Sequence, residues 1–247
     1  NELLKIEIFK RSYDARKNIA LSFTYIVDVV VKDEAAVLER FVDDPQVRLT
    51  PDTSYHFVAQ VTDQAHRPTL RPVVIGFGPC GIFAALLLAQ MGLKPLILER
   101  GKAVRERTQD TWKLWRKNVL NPESNVQYGE GGAGTFSDGK LYSQIKDPKF
   151  YGRKVIQEFI KAGAPEEILY VAKPHIGTFR LVGIVETMRE EIIALGGEIR
   201  FSQKVTGFDI EAEQIRGVQL ENGEYIAADH VILALGHSAR DTFEALH

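Results

Sequence analysis

Hydrophobic and polar positions divide the chain into two stretches of different rhythm. Leu3 to Phe9 alternates as a strand with one covered face does, and Ile19 to Val31 is dense in β-branched and aromatic residues. The polar run between them, Arg11 to Asn18, reads as a turn. Asp33 predicts a helix start, since an N-cap carboxylate takes an otherwise orphaned amide of the first turn, and the helix follows over Glu34 to Phe41. A strand over Tyr55 to Val61 completes the order β-β-α-β, that of a small α+β module. Thr62 to Pro72 carries two prolines among polar residues and reads as a linker, so residues 1–68 are assigned to this module.

From residue 69 the rhythm changes. Val73-Val74-Ile75 is a short continuous apolar run, the mark of a strand covered on both faces. A glycine turn, a helix over Pro79 to Met91 with Gly92 as its stop, and a second buried strand, Leu96 to Leu98, make a βαβ unit. A long insertion, about 101–177, holds helices near Thr108 to Asn118 and Tyr151 to Ala162. Then come a helix from about Thr178 to Leu195, a strand at Glu198 to Phe201, strands around Val205, Val218 and Tyr225, and a last buried strand, Val231 to Leu235. Glu221-Asn222-Gly223 suits the last hairpin of this set. The fold class is α/β, with a central parallel sheet and a β-meander in residues 69–247.

Composition narrows the partners. The chain has 247 residues, 45% of them hydrophobic and 26% charged, which excludes wholesale disorder. A formal charge of −2 argues against nucleic acid and anionic membranes as partners. The most apolar stretch, Ile82 to Ala89, is too short to cross a bilayer. Cys80 is the single cysteine, so neither a disulfide framework nor a Cys-x-x-Cys pair exists within this chain. A soluble cytoplasmic protein is the expectation. The chain starts at Asn1 rather than Met, so it is also expected to be part of something longer.

Gly76-Phe77-Gly78-Pro79-Cys80-Gly81 is a G-x-G-x-x-G between a buried strand and a helix. The first glycine makes the tight turn, the second lets a pyrophosphate reach the backbone, and the third lets helix and strand pack. The helix N-terminus offers free N–H groups to the anion. Glu99 closes the next strand, roughly 20 residues past the first glycine, where a carboxylate accepts from a ribose diol and repels a 2′-phosphate. Pro79 fits the first helical turn, and Cys80 reads as a small residue tolerated near the phosphates. A second glycine-rich stretch, Gly129 to Leu141, carries five glycines between 129 and 139 and is anchored by Phe136 and Leu141. It reads as a ligand-binding loop.

Three stretches together carry a family resemblance: the G-x-G-P-x-G, Leu-Glu-Arg-Gly at 98–101, and Gly-Glu-Gly-Gly-Ala-Gly-Thr-Phe-Ser-Asp-Gly-Lys-Leu at 129–141. Ser-Tyr-Asp-Ala-Arg-Lys at 12–17 and Ala-Leu-Gly-His-Ser-Ala-Arg-Asp-Thr at 234–242 extend it over nearly the whole chain. In these the sequence resembles a bacterial family of FAD-dependent dehydrogenases within the glutathione-reductase-like, two-dinucleotide-binding-type flavoproteins. The resemblance implies an FAD-type Rossmann domain behind the N-terminal module. It implies that Gly76, Gly78, Pro79 and Gly81 surround the FAD pyrophosphate and that Glu99 holds the adenosine ribose, with Cys80 and Arg100 among the cofactor-binding candidates. Val205 would offer its backbone to the adenine, and Ala234 and Gly236 would form a second nucleotide-facing strand end. Gly131, Gly132, Ala133, Gly134 and Thr135 would lie near the ribityl or flavin portion, and Arg107 is a further cofactor candidate. His175 is a candidate proton donor, weighed evenly against a structural hydrogen bonder. Lys140 is a candidate to neutralise reduced flavin, against a solvated lysine.

The implied activity is hydride transfer between flavin and a small-molecule substrate that the sequence does not identify. Alternatives are an NAD-dependent dehydrogenase using the same fingerprint, or a non-catalytic flavin- or nucleotide-binding module. Use of NAD(P)H stays open, since one glycine fingerprint is present. The Gly-Asp segment that closes over the flavin in this class does not occur, so the chain is expected to be truncated before the cap region and to hold FAD weakly or not at all by itself.

Overall fold

The computed structural model describes residues 3–16, 20–61 and 69–246. The chain divides into two compact units, and the division differs from the expected boundary at 68/69. One unit joins Asn1–His56 to Lys140–Ile176, and the other joins Phe57–Gly139 to Gly177–His247. The expected insertion is thus shared between them.

In the first unit β1 (Leu3–Asp14) and β2 (Ser22–Val31) pair antiparallel as a ribbon. The strand β1 runs through Asp14, into what the sequence predicts as turn, because Arg11, Ser12 and Tyr13 find ladder partners in Tyr25, Thr24 and Phe23. Helix α1 (Glu34–Arg40) starts as predicted, with the Asp33 carboxylate accepting from the Ala36 amide at 3.0 Å. The expected strand at Tyr55 to Val61 does not form. Asp52 instead takes the Ser54 amide in a local turn, and Val58 is 90% exposed, so nothing covers a face there. The expected linker falls largely on 62–68, outside the described residues, as does Lys17. The helix at Tyr151–Lys161, here α4, completes this unit.

The second unit is a three-layer α/β arrangement. Its sheet has β3 (Val73–Ile75) in the interior, β4 (Leu96–Glu99) and β5 (Glu198–Phe201) to one side and β9 (Val231–Leu233) to the other, all parallel. Helix α2 (Pro79–Gln90) connects β3 to β4 and packs on both, and α5 (Thr178–Ala194) packs beside it and leads into β5. Helix α3 (Val104–Lys117) lies against α5. The antiparallel meander β6 (Val205–Glu211), β7 (Gln214–Leu220) and β8 (Tyr225–Ala227) covers the opposite face, and α6 (Arg240–Glu244) ends the described chain.

Alternation along the strands sends Val73, Ile75, Leu96 and Leu98 into a buried cluster with Val205, Val218 and Leu220 of the meander. Val74 and Ile97 point the other way, toward the helices, which is why these strands read as unbroken apolar runs. Leu86 and Met188 are fully buried on that side, and each such side chain contributes about 2 kcal/mol by leaving water. The order β5-β4-β3-β9 reverses direction between β3 and β9. In parallel sheets a crevice opens outside the strand ends at such a switch point.

Candidate functional site

The crevice is present there, an open cleft of about 300 Å³ at the C-terminal ends of β3, β4 and β9, in the range of small-molecule sites. Gly76 turns the chain out of β3 with φ +98°, and its amide donates to Leu98 O at 2.8 Å. A Cβ on Gly76 would sit 2.5 Å from Ala234 O, and one on Gly81 only 1.9 Å from Gly76 O. Those two glycines are demanded by packing between turn, helix and β9. Gly78 is different. It is the N-cap of α2, it lines the cleft, and a Cβ there would meet only Gly132, its Cα at 3.6 Å and its N at 3.9 Å, both ordinary contacts. Nothing in the protein requires Gly78 to be bare, so the space it leaves serves what enters the cleft. Pro79 is the first residue of α2 and Cys80 is an exposed free thiol at the cleft wall. Gly78 offers no side-chain cap, so first-turn amides face the cleft without an intrahelical acceptor.

Glu99 reaches the cleft from the end of β4, and it is only 4% exposed. Its two oxygens accept separately, from the Phe77 amide at 2.7 Å and the Gly101 amide at 2.8 Å. A carboxylate has about four lone-pair sites, so capacity for a ribose hydroxyl remains. Arg100 lines the same wall and stacks on Tyr128, 4.1 Å from the ring centroid. Its guanidinium is held by Glu123 at 2.7 Å and by both oxygens of Asp241 at 3.0 Å. Lys204 adds a contact to Asp241 at 3.1 Å. The Arg100 hydrogen bonds, with help from Lys204, hold the Asp241 carboxyl down at about 2. Tyr128 donates to Ser238 O at 2.7 Å, tying the segment after β9 across the cleft mouth. Val205, Ala234 and Gly236 line the cleft. Tyr128, Lys204, Asp241 and Ser238 were not singled out from sequence. Tyr128 precedes the glycine loop directly and was the one readable signal among them.

Of the glycine loop, Gly129, Gly132, Ala133 and Gly134 line the cleft. The Gly131 amide donates to Phe77 O at 2.9 Å, and a Cβ on Gly132 would stand 3.0 Å from Gly78 Cα, so the two glycine-rich loops touch. Ala133–Phe136 forms one 3₁₀ turn. Gly81, Gly131 and Thr135 are buried and are not among the residues that line the cleft. Arg107 is wholly buried against the loop and does not line the cleft either. Glu130 is also wholly buried, and one carboxylate oxygen accepts from the Val104 amide at the start of α3 and from Arg189 of α5, both at 2.7 Å. Its other oxygen has no hydrogen-bond partner, and burial raises its pKa above the usual carboxylate value.

His175 and Lys140 belong to the first unit, where their backbones form an antiparallel bridge. The His175 ring packs edge-on to Tyr142, with Nδ1 3.1 Å from Lys173 O. Neither residue lines the cleft of the second unit. Among the described residues no group of three or more His, Cys, Asp or Glu could hold a metal ion, and no helix is long and apolar enough to cross a membrane.

Comparison with known proteins gives three findings. The family model for pyridine nucleotide-disulphide oxidoreductases matches residues 70–246. A protein of Clostridium beijerinckii (strain ATCC 51743 / NCIMB 8052), named as an uncharacterized protein, is 43% identical over 246 residues, covering 100% of this chain and 45% of its own length. The chain thus spans less than half of that relative. Among solved structures, Thermovibrio ammonificans THI4 is 16% identical with a TM-score of 0.47, over 72% of this chain and 61% of that one. L-amino acid deaminase from Proteus vulgaris is 17% identical with a TM-score of 0.47, over 77% and 59%.

Proposed function

Since the chain belongs to the pyridine nucleotide-disulphide oxidoreductase family, a family of FAD-dependent oxidoreductases, we propose that it forms the FAD-binding part of an enzyme that transfers hydride between a small-molecule substrate and flavin. The observation that carries this reading is Gly78. It is a glycine the fold itself does not need, placed at the N-terminus of α2 in the cleft that Glu99 also lines.

The residues fit the adenosine diphosphate half of FAD. First-turn amides of α2 would bind the pyrophosphate, an arrangement in which a helix N-terminus favours an anion by about 0.3–1 kcal/mol or more. Glu99 would orient the ribose, and a carboxylate at that place disfavours a 2′-phosphate. Arg100 and Tyr128 present a flat stacked pair to the same wall. When bound, FAD supplies the redox chemistry, and the protein contributes orientation, electrostatics and exclusion of water. The family name includes disulphide chemistry, but with Cys80 as the single cysteine these residues hold no dithiol of their own. A near-neutral charge and one cysteine support a small-molecule substrate and a cytoplasmic setting.

An absorbance spectrum of the purified full-length protein tests the proposal. Flavin bands that bleach under a reducing substrate are the expected result. Stable flavin that no reductant bleaches would favour a binding module, and a protein that takes up NAD but never FAD would overturn the cofactor assignment.

A further inference from the structure

The inward stripe of α3 is unusual for a buried helix face, because Val104, Arg107, Asp110 and Thr111 are its buried residues. A face with that much polarity is not built to meet apolar side chains. It meets backbone. The Arg107 guanidinium donates through Nε to Asn125 O at 2.8 Å and through Nη2 to Val126 O at 2.6 Å. Through Nη1 it donates to Glu130 O at 2.7 Å, to Gly132 O at 2.8 Å and to Thr135 Oγ1 at 3.4 Å. Its far side lies against the Phe136 ring, 4.8 Å from the centroid. Gly129 crosses the side chain so closely that a Cβ would stand 2.3 Å from Arg107 Cδ.

From this geometry we propose that Arg107 is a positioning residue for the cofactor: it sets the shape of the Asn125–Thr135 loop and thereby the gap between Gly132 and Gly78. The inference rests on the FAD reading above. Four glycines between 129 and 134 give this segment large conformational freedom, and any ligand that had to order it would bind weakly for that reason. One planar cation answers four main-chain carbonyls and a hydroxyl at once, which only a guanidinium fork can do. A lysine at the same place has its donors on a single atom and reaches fewer of them. Burial pushes the Arg107 pKa down to about 10, so the guanidinium stays charged at neutral pH and keeps its grip there. The loop fixed in this way touches the pyrophosphate turn directly, through Gly131 N to Phe77 O and through Gly132 against Gly78. Arg107 itself never meets the cleft, so its effect travels through backbone position alone.

The test is FAD titration of the full-length apoprotein, followed by flavin fluorescence quenching, for wild type, Arg107→Lys, Thr135→Val and Ile192→Ala, with the thermal midpoint of each apoprotein measured alongside. Arg107→Lys should weaken FAD by about tenfold or more, and Thr135→Val, close in shape but lacking the hydroxyl, by roughly threefold. Ile192 is fully buried in α5 and does not line the cleft, so Ile192→Ala lowers the thermal midpoint yet should keep FAD affinity within about twofold. Variants at 107 and 135 with wild-type affinity would overturn the proposal. So would an Ile192→Ala loss as large as theirs, since the effect would then be general destabilisation. A wild type with no affinity for FAD overturns the functional reading as well, which separates that failure from this one.

Discussion

Gly76, Gly78 and Gly81 differ in what surrounds the hydrogen that stands where a side chain would begin. For Gly81 that direction ends in a backbone oxygen at 1.9 Å, and main chain cannot swing aside as a long side chain can. Gly81→Ala should therefore cost several kcal/mol, roughly 3 or more, and appear largely in the insoluble fraction. Gly78→Ala should leave the thermal midpoint of the apoprotein nearly unchanged while weakening FAD by at least about tenfold, as a methyl replaces the approach path of the pyrophosphate. Equal midpoints together with equal FAD affinities would remove Gly78 from the site. The fingerprint itself was readable because its spacing is local. That Glu99 also clasps the Phe77 and Gly101 amides was not, since those partners meet only after β3 and β4 align. Glu99→Gln should accordingly do two things, weaken FAD and destabilise the apoprotein by about 1–3 kcal/mol, because one buried amide then faces an NH₂ group. A urea titration of the apoprotein that shows no change would deny the clasp.

Elements that are apolar on every side, β3, β4 and α2, were read from sequence nearly to the residue, because burial on both faces leaves a continuous run. The inward face of α3 escaped such reading. Arg107 and Asp110 look like solvated charges until the Asn125–Gly132 carbonyls close on the first and Lys102 and Lys113 pair with the second. Helix α6 escaped too, being one short turn held by ion pairs rather than by an apolar stripe. Its Asp241 is about two-fifths exposed, so the pairs with Arg100 and Lys204 contribute less than about 1 kcal/mol at neutral pH. Their pH dependence has a definite sign. The folded-state pKa lies near 2, below the ordinary 3.8, so this stabilisation is present above pH 4 and is lost as pH falls toward 2. Urea unfolding of wild type and Asp241→Asn should show a stability gap at pH 5 that narrows steadily as the acid is increased. A gap that stays constant over that range would mean the carboxylate charge is not its source.

At the scale of the molecule the two units are built with unequal depth. In the first unit no described residue from 3 to 56 is buried, and the buried apolar residues of its 140–176 segment are Ala162, Ala164, Ile168 and Ile176, whereas the second unit packs both faces of its sheet. Stability follows buried apolar area, so the first unit should open at lower denaturant. Both tryptophans, Trp112 and Trp115, lie in α3 of the second unit, and their emission therefore reports that unit alone. Circular dichroism should begin to fall before tryptophan emission shifts, and coincident curves would show one cooperative block instead. Sequence reading had no access to the division between the units, because the 140–176 segment joins residues more than eighty positions earlier and no local pattern records that. The ribbon of the first unit has a further consequence. Among the described residues β2 has β1 as its one strand neighbour, and Phe23, Tyr25, Ile26, Val27, Val29 and Val30 all stand about half exposed along it. A strand of that composition, with Asp28 its single charge, is a template onto which identical strands can add. Concentrated solutions of this chain should thus be prone to fibril formation, seeded at Ser22–Val31 rather than in the buried parallel sheet. Val27→Lys would act as a gatekeeper, lengthening the lag of thioflavin fluorescence while leaving the tryptophan transition where it was.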